Sequence, residues 1–163
     1  MYESVANFAG AKPIPIPLKE ENDFRLDPEY VKEKMTKKTK MIILNSPENP
    51  TGGVLTGKDL KFIADCTADR DDVLVLSDEI YSRIVYEGKH ESIASLPGMK
   101  EKTIILNGFS KTYAMTGWRL GYGVMRKDFR HFHHADSGEA MRAALPHGLD
   151  GAAADAGIYD SRP

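Results

Sequence analysis

Short apolar runs alternate with polar punctuation along the chain, and their spacing predicts its elements. "KMIILN" (40–45), "DVLVLSD" (72–78) and "KTIILN" (102–107) are continuous aliphatic runs of the kind found in strands buried on both faces. "WRLGYGVM" (118–125) is a fourth candidate strand, with glycines where backbone or a ligand approaches closely. "KPIPIPL" (12–18) is too rich in proline for a central strand and is expected as an extended segment at a sheet edge. "LDPEYVKEKM" predicts a helix: Asp27 suits the N-cap, Pro28 the first helical position, and Val31 and Met35 share one side. A second helix is expected after Thr56, which forms a capping-box pattern with Asp59, because Leu60, Ile63, Ala64 and Thr67 recur at helical spacing. "SPENPTGG" (46–53), between the first strand and this helix, packs prolines and glycines into a structured turn. The chain contains no internal repeat.

Strand, helix, strand at these spacings implies right-handed parallel crossovers, and hence an α/β fold: a three-layer α/β/α sandwich around a mostly parallel sheet. In such sheets ligands gather outside the carboxyl ends of the strands. The polar clusters follow the strands in that way: Asn45 to Thr51, Ser77 to Tyr81, and Asn107 to Lys111.

Composition narrows the choice of function. At 163 residues the chain fits one ordinary domain, and its formal charge of −2 leaves no basic excess for a nucleic-acid surface. Cys66 is the only cysteine, so neither a disulfide framework nor a cysteine-rich metal site is available. No apolar run approaches the length of a membrane span, and the first residues lack a signal pattern. A soluble protein of the cytoplasm is the expectation. Neither G-x-x-x-x-G-K-[ST] nor a strand-to-helix G-x-G-x-x-G occurs, which disfavours a nucleotide-binding domain. The composition also breaks: all 14 lysines lie at or before Lys127, whereas 129–163 has no valine and holds 8 of the 15 alanines. Residues 1–128 and 129–163 are therefore treated as separate units. His131, His133 and His134 in the second could bind a transition metal, but they lack a carboxylate or cysteine partner at ligand spacing. They read as solvated tail, and no metal is expected.

The clusters at the strand ends carry the chemistry. A pyridoxal phosphate site needs a lysine for the Schiff base, a carboxylate on the ring nitrogen, donors to the phenolate oxygen, and hydroxyl and guanidinium groups for the phosphate. Lys111, Asp78, Tyr81 with Asn49, and Ser110 with Arg119 could fill those four roles. Taken singly, each residue has an ordinary reading. Lysine is rarely buried, Asp78 could cap a strand end, Tyr81 could be a packing ring, and Asn49 and Ser110 suit turns. Their joint occurrence, in order and at strand ends, reverses that balance.

The segment "GFSKTYAMTGWRLG" (108–121) resembles the lysine-attachment signature of the class I/II aminotransferases, with Gly108, Ser110, Lys111, Gly117, Arg119 and Gly121 in register. "NSPENPTGG" and "DEIYSRIVYEG" are similar to two further segments of that family, in the same order. The resemblance runs from Tyr2 to about Asp128 and implies part of the large, cofactor-binding domain of a fold type I pyridoxal phosphate enzyme. It implies that Lys111 carries the cofactor and shuttles a proton between the substrate Cα and the cofactor's C4′. Asp78 would pair the pyridinium nitrogen, Tyr81 and Asn49 would hold the phenolate oxygen, and Ser110 and Arg119 would bind phosphate. The implied reaction moves an amino group between an amino acid and a 2-oxo acid, in a homodimer whose subunits share each site.

Against that family pattern the chain is short. The upstream phosphate loop, the aromatic residue that stacks on the ring and the C-terminal arginine that clamps the substrate carboxylate have no counterpart here. Residues 129–163 are expected to be disordered or to come from a shifted reading frame. Lyases, decarboxylases and synthases share the same motif set. Two non-enzymatic alternatives also stand: a cofactor-sensing, aminotransferase-like domain of a regulator, and a catalytically inert fragment.

Overall fold

The computed structural model describes residues 2–127 and the backbone of 155–160. Its strands are β1 (Lys12–Pro17), β2 (Thr39–Asn45), β3 (Leu74–Asp78), β4 (Thr103–Gly108), β5 (Gly121–Val124) and β6 (Asp155–Asp160); its helices are α1 (Tyr2–Phe8), α2 (Pro28–Lys34) and α3 (Gly57–Thr67). The strands form one sheet in the order β1-β6-β2-β3-β4-β5. β2, β3 and β4 are mutually parallel, while β6 runs antiparallel to both β1 and β2, and β5 antiparallel to β4. The strands β1 to β4 thus share one direction, and the α/β class with a mostly parallel, mixed sheet stands as expected.

β1 occupies an edge for a chemical reason. Pro13, Pro15 and Pro17 strip alternate N–H groups from one side of the strand, and only an outer side tolerates that loss. The expected helix caps form as well. Asp27 accepts from the N–H groups of Glu29 and Tyr30 at 3.0 and 3.2 Å. Thr56 and Asp59 bond reciprocally across the first turn of α3. Lys102 closes the other end of that helix, donating to the carbonyls of Thr67 and Ala68 at 2.7 and 3.2 Å, where the helix dipole favours a cation.

Registry separates the two faces of the sheet. Ile42, Val75 and Thr103 stand side by side, as do Leu44, Ser77 and Ile105, on the face covered by α2 and α3. There Val31, Leu60, Ile63, Val73 and Ile93 complete the core. Met41, Leu74, Leu76, Ile104 and Leu106 line the opposite face and remain half-buried.

Three features depart from the expectations. β5 begins only at Gly121, because Arg119 adopts a left-handed φ of 52° that no strand can continue through, and Trp118 lies in a 3-10 turn. α1 was not anticipated; its seven residues are too short to display a helical period. The third is β6, drawn from the compositionally distinct tail and inserted between β1 and β2. The short helix expected around 138–145 and the histidines His131, His133 and His134 lie outside the described residues.

Candidate active site

Because β2, β3 and β4 are parallel, their carboxyl ends meet at one edge of the sheet. Asn45, Asp78 and Leu106 are neighbours there in register. Backbone bonds extend the ladder one step past the strands: Ser46 N–H donates to Asp78 O at 3.1 Å, and Glu79 N–H to Leu106 O at 2.9 Å. The three polar clusters therefore leave a single rigid shelf.

The turn after β2 is braced by its own side chains. Ser46 Oγ accepts from Leu55 N–H at 3.0 Å, Thr51 Oγ donates to Glu48 at 2.7 Å, and Glu48 N–H closes onto Gly53 O at 2.9 Å. The Ser46–Pro47 and Asn49–Pro50 peptides are both cis. Asn49 stands exposed at the tip, and its Nδ2 donates to the Tyr81 hydroxyl at 3.3 Å.

After β3 the chain turns at once. Ile80 N–H donates to Asp78 Oδ1 at 3.1 Å, a local turn that aims the carboxylate, and the hydroxyl of Tyr2 donates to its other oxygen. Asp78 lies on the face opposite the core, by the alternation of β3. Tyr81, three residues on, presents its ring to Lys111, whose Nζ sits 5.4 Å from the ring centroid. An exposed cation over an aromatic face is held by about 0.5–1 kcal/mol.

Lys111 itself comes from the turn after β4, and Gly108 is what lets that turn sit where it does. A Cβ at Gly108 would stand 2.9 Å from Leu120 O and 3.1 Å from Gly121 Cα. Only glycine allows β4 to press so closely against the segment that returns to the sheet. The same approach lets Phe109 N–H donate to Leu120 O at 3.3 Å. Ser110 and Lys111 are thereby brought alongside the segment that carries Arg119.

The six residues singled out from the sequence are thus not equally joined. Asn49, Tyr81 and Lys111 form one contacting set, and Asp78 shares their strand edge. Ser110 is half-buried in the turn before Lys111. Arg119 is exposed and donates to the carbonyl of Thr116 at 2.9 Å, within its own turn, rather than to any of the other five. Its left-handed backbone is the kind of strained conformation that clusters at functional sites. The donor set is of the kind a pyridine ring bearing an aldehyde and a phosphate needs: an amine, a carboxylate, a phenol with an amide beside it, a hydroxyl, and a guanidinium held in the following turn.

Tyr2 was missed. It lies 76 residues from Asp78, in a helix too short to announce itself, and nothing local marks it as the partner of a carboxylate. Nor does the sequence single out Glu79, which is 6% exposed and lies on the core face next to Asp78. Among the described residues no cluster of histidine, cysteine and carboxylate groups could hold a metal. Among the same residues no helix is long and apolar enough to cross a membrane.

The family described as aminotransferase class I and II matches residues 1–147, extending past the compositional break after residue 128. The aspartate aminotransferase of Pyrococcus abyssi is 54% identical over 122 residues, which cover 74% of this chain and 31% of that protein. Aromatic-amino-acid aminotransferase 2 of Thermococcus litoralis is 53% identical over 122 residues, 74% of this chain and 31% of its own length. Among solved structures, the aspartate aminotransferase of Thermus thermophilus with maleate superposes with a TM-score of 0.75 at 35% identity, covering 88% of this chain and 35% of that one. The aromatic aminotransferase of Pyrococcus horikoshii gives a TM-score of 0.73 at 51% identity, over 77% of this chain and 34% of that one. The chain spans about a third of the length of the relatives it matches. With its strand-end motifs, its fold and these likenesses in agreement, the chain belongs to the class I and II aminotransferase family.

Proposed function

We propose that this chain carries part of the cofactor site of a pyridoxal phosphate-dependent aminotransferase, which moves an amino group between an amino acid and a 2-oxo acid. The observation that carries the reading is the meeting of Asn49, Tyr81 and Lys111 at the strand edge that also bears Asp78. Pyridoxal phosphate, when bound, supplies an electron sink for charge developing at the substrate Cα. The residues here do the rest of the work assigned to them. Lys111 Nζ would attach the cofactor and move a proton at the substrate Cα. Asp78, oriented by the Tyr2 hydroxyl and by Ile80 N–H, would keep a proton on the pyridine nitrogen. Tyr81 and Asn49 would donate to the phenolate oxygen, and Ser110 with Arg119 would bind phosphate once Arg119 turns from its own carbonyl.

Because the chain spans about a third of its relatives, turnover is proposed for the whole protein and cofactor capture for this chain. A homodimer and a cytoplasmic location are proposed on the same footing. The test is spectroscopic. Added pyridoxal 5′-phosphate should give the purified chain an absorption band near the visible edge that borohydride abolishes, and Lys111→Ala should lack it. Equal, borohydride-insensitive uptake by wild type and variant would remove Lys111 from its role.

A further inference from the structure

Behind the site, on the core face, lies a buried polar network that the chemistry above does not use. β3 alternates, so Val75, Ser77 and Glu79 point into the core while Asp78 points to the other face. The Glu79 carboxylate receives Ser92 Oγ at 2.6 Å and Ser77 Oγ at 3.1 Å on one oxygen, and faces His90 Nε2 at 3.0 Å on the other. Burial pushes its carboxyl upward, but the bonds from His90, Ser92 and Ser77 together with the nearby His90 charge outweigh burial and lower it from its ordinary value. Glu79 is accordingly an anion with three donors.

The tautomer of His90 follows from the same geometry. Its Nδ1 is buried and lacks a partner. A proton on Nε2 serves Glu79 and leaves only a bare lone pair at Nδ1. A proton on Nδ1 instead would bury an unpaired donor and forfeit the bond to Glu79, at a cost of about 1–3 kcal/mol. His90 therefore donates through Nε2.

His90 and Ser92 lie 11 and 13 residues beyond Glu79, and the segment they close contains Tyr81. The backbone of Glu79 meanwhile ties β3 to β4 through Leu106 O, and its carbonyl accepts from Ser82 N–H at 2.9 Å. One residue thus anchors both ends of the loop on one face while its neighbour Asp78 faces the other way. We infer that Glu79 is a positioning residue for the cofactor edge: by gathering Ser77, His90 and Ser92 on the core face, it sets where Asp78, on the opposite face, and Tyr81, in the turn that follows, stand.

The inference rests on the reading that Asp78 and Tyr81 hold the cofactor, and the experiment separates the two. The full chain is compared as wild type, Glu79→Ala, Glu79→Gln, His90→Ala, His90→Gln and Leu60→Ala, the last a core control in α3 that supplies no hydrogen bond to the network. In the ligand-free chain, the NMR ring signals of Tyr2 and Tyr81 are followed. They should move in Glu79→Ala and His90→Ala, return towards wild type in His90→Gln, whose amide N–H replaces the imidazole donor, and stay in place in Leu60→Ala. Glu79→Gln should fall between Glu79→Ala and wild type: its amide oxygen can keep both serine bonds, which share one carboxylate oxygen, while its NH2 group meets His90 Nε2 and favours the tautomer whose Nδ1 proton is buried without a partner.

Pyridoxal 5′-phosphate titration is the second readout. Groups that orient ligand-holding residues carry about 10- to 100-fold of affinity at metal sites, and a loss of about tenfold is expected here for Glu79→Ala. Leu60→Ala should stay within about twofold of wild type, as it removes apolar packing and leaves every bond to Glu79 in place. Tyrosine signals that stay fixed in Glu79→Ala, or move equally in Leu60→Ala, overturn the inference. Signals that move as expected in a wild-type background that takes up no cofactor leave the positioning role standing and remove the cofactor reading. Should Glu79→Ala fail to fold, the contrast between His90→Ala and His90→Gln decides in the same terms.

Discussion

Replacing Gly108 by alanine probes the contact that brings the Lys111 turn beside Arg119. The added methyl would stand 2.9 Å from Leu120 O, 3.1 Å from Gly121 Cα and 3.3 Å from Ile80 Cδ1. Ordinary carbon contacts lie at about 3.5–4.0 Å, so every one of these is compressed. Ile80 can rotate away; the two backbone atoms can yield only if residues 120–121 lift off β4 and the bond from Phe109 N–H to Leu120 O lengthens. Forced overpacking of this kind costs about 1–3 kcal/mol. For a chain of this size each kcal/mol lowers the melting temperature by roughly 2–4 °C, which places the expected drop between about 2 and 12 °C. Gly117→Ala is the matched control. Its Cβ would meet nothing within 4 Å and its φ is not positive, so the change should be neutral or stabilise by about 0.4–1 kcal/mol. Thermal unfolding followed by circular dichroism, with both variants beside wild type, supplies the comparison. A Gly108→Ala chain melting within about 1 °C of wild type, or a Gly117→Ala chain falling as far, would refute the close-approach argument.

Two further outcomes are expected. Thr56→Ala removes the side chain that accepts Asp59 N–H and donates to its carboxylate at the start of α3, and should lower stability by about 0.5–2 kcal/mol in urea titration. Acid should act through Glu79. Its carboxyl lies lower in the folded chain than in the unfolded one, so its stabilisation is complete above the unfolded value of about 4.3 and is lost as pH falls through the folded one. The gap in melting temperature between wild type and Glu79→Ala should narrow on acidification below about pH 4; a gap that widens there contradicts the sign.

Local pattern alone determined a good deal of this protein. The aliphatic runs mark β2, β3 and β4 because a strand covered on both faces needs apolar residues throughout, and prolines assign β1 to an edge because they lack donors. Asp27, Thr56 and Asp59 announce helix starts by chemistry that is complete within three residues. The placing of the polar clusters 45–51, 77–81 and 107–111 at strand ends was equally legible, since parallel strands must deliver their ends to one edge.

Tertiary structure decided what depends on distant partners. The insertion of β6 between β1 and β2 pairs Lys12 with Asp160, and no local period encodes so remote a register. The reversal of β5 follows from a left-handed backbone at Arg119 that its side chain does not foretell. Tyr2 meets Asp78, and Glu79 collects His90 and Ser92, through the tertiary fold rather than through local sequence. An acidic side chain reads as surface until three donors are found around it, because the free energy of burying a charge is set by neighbours that the fold alone assembles.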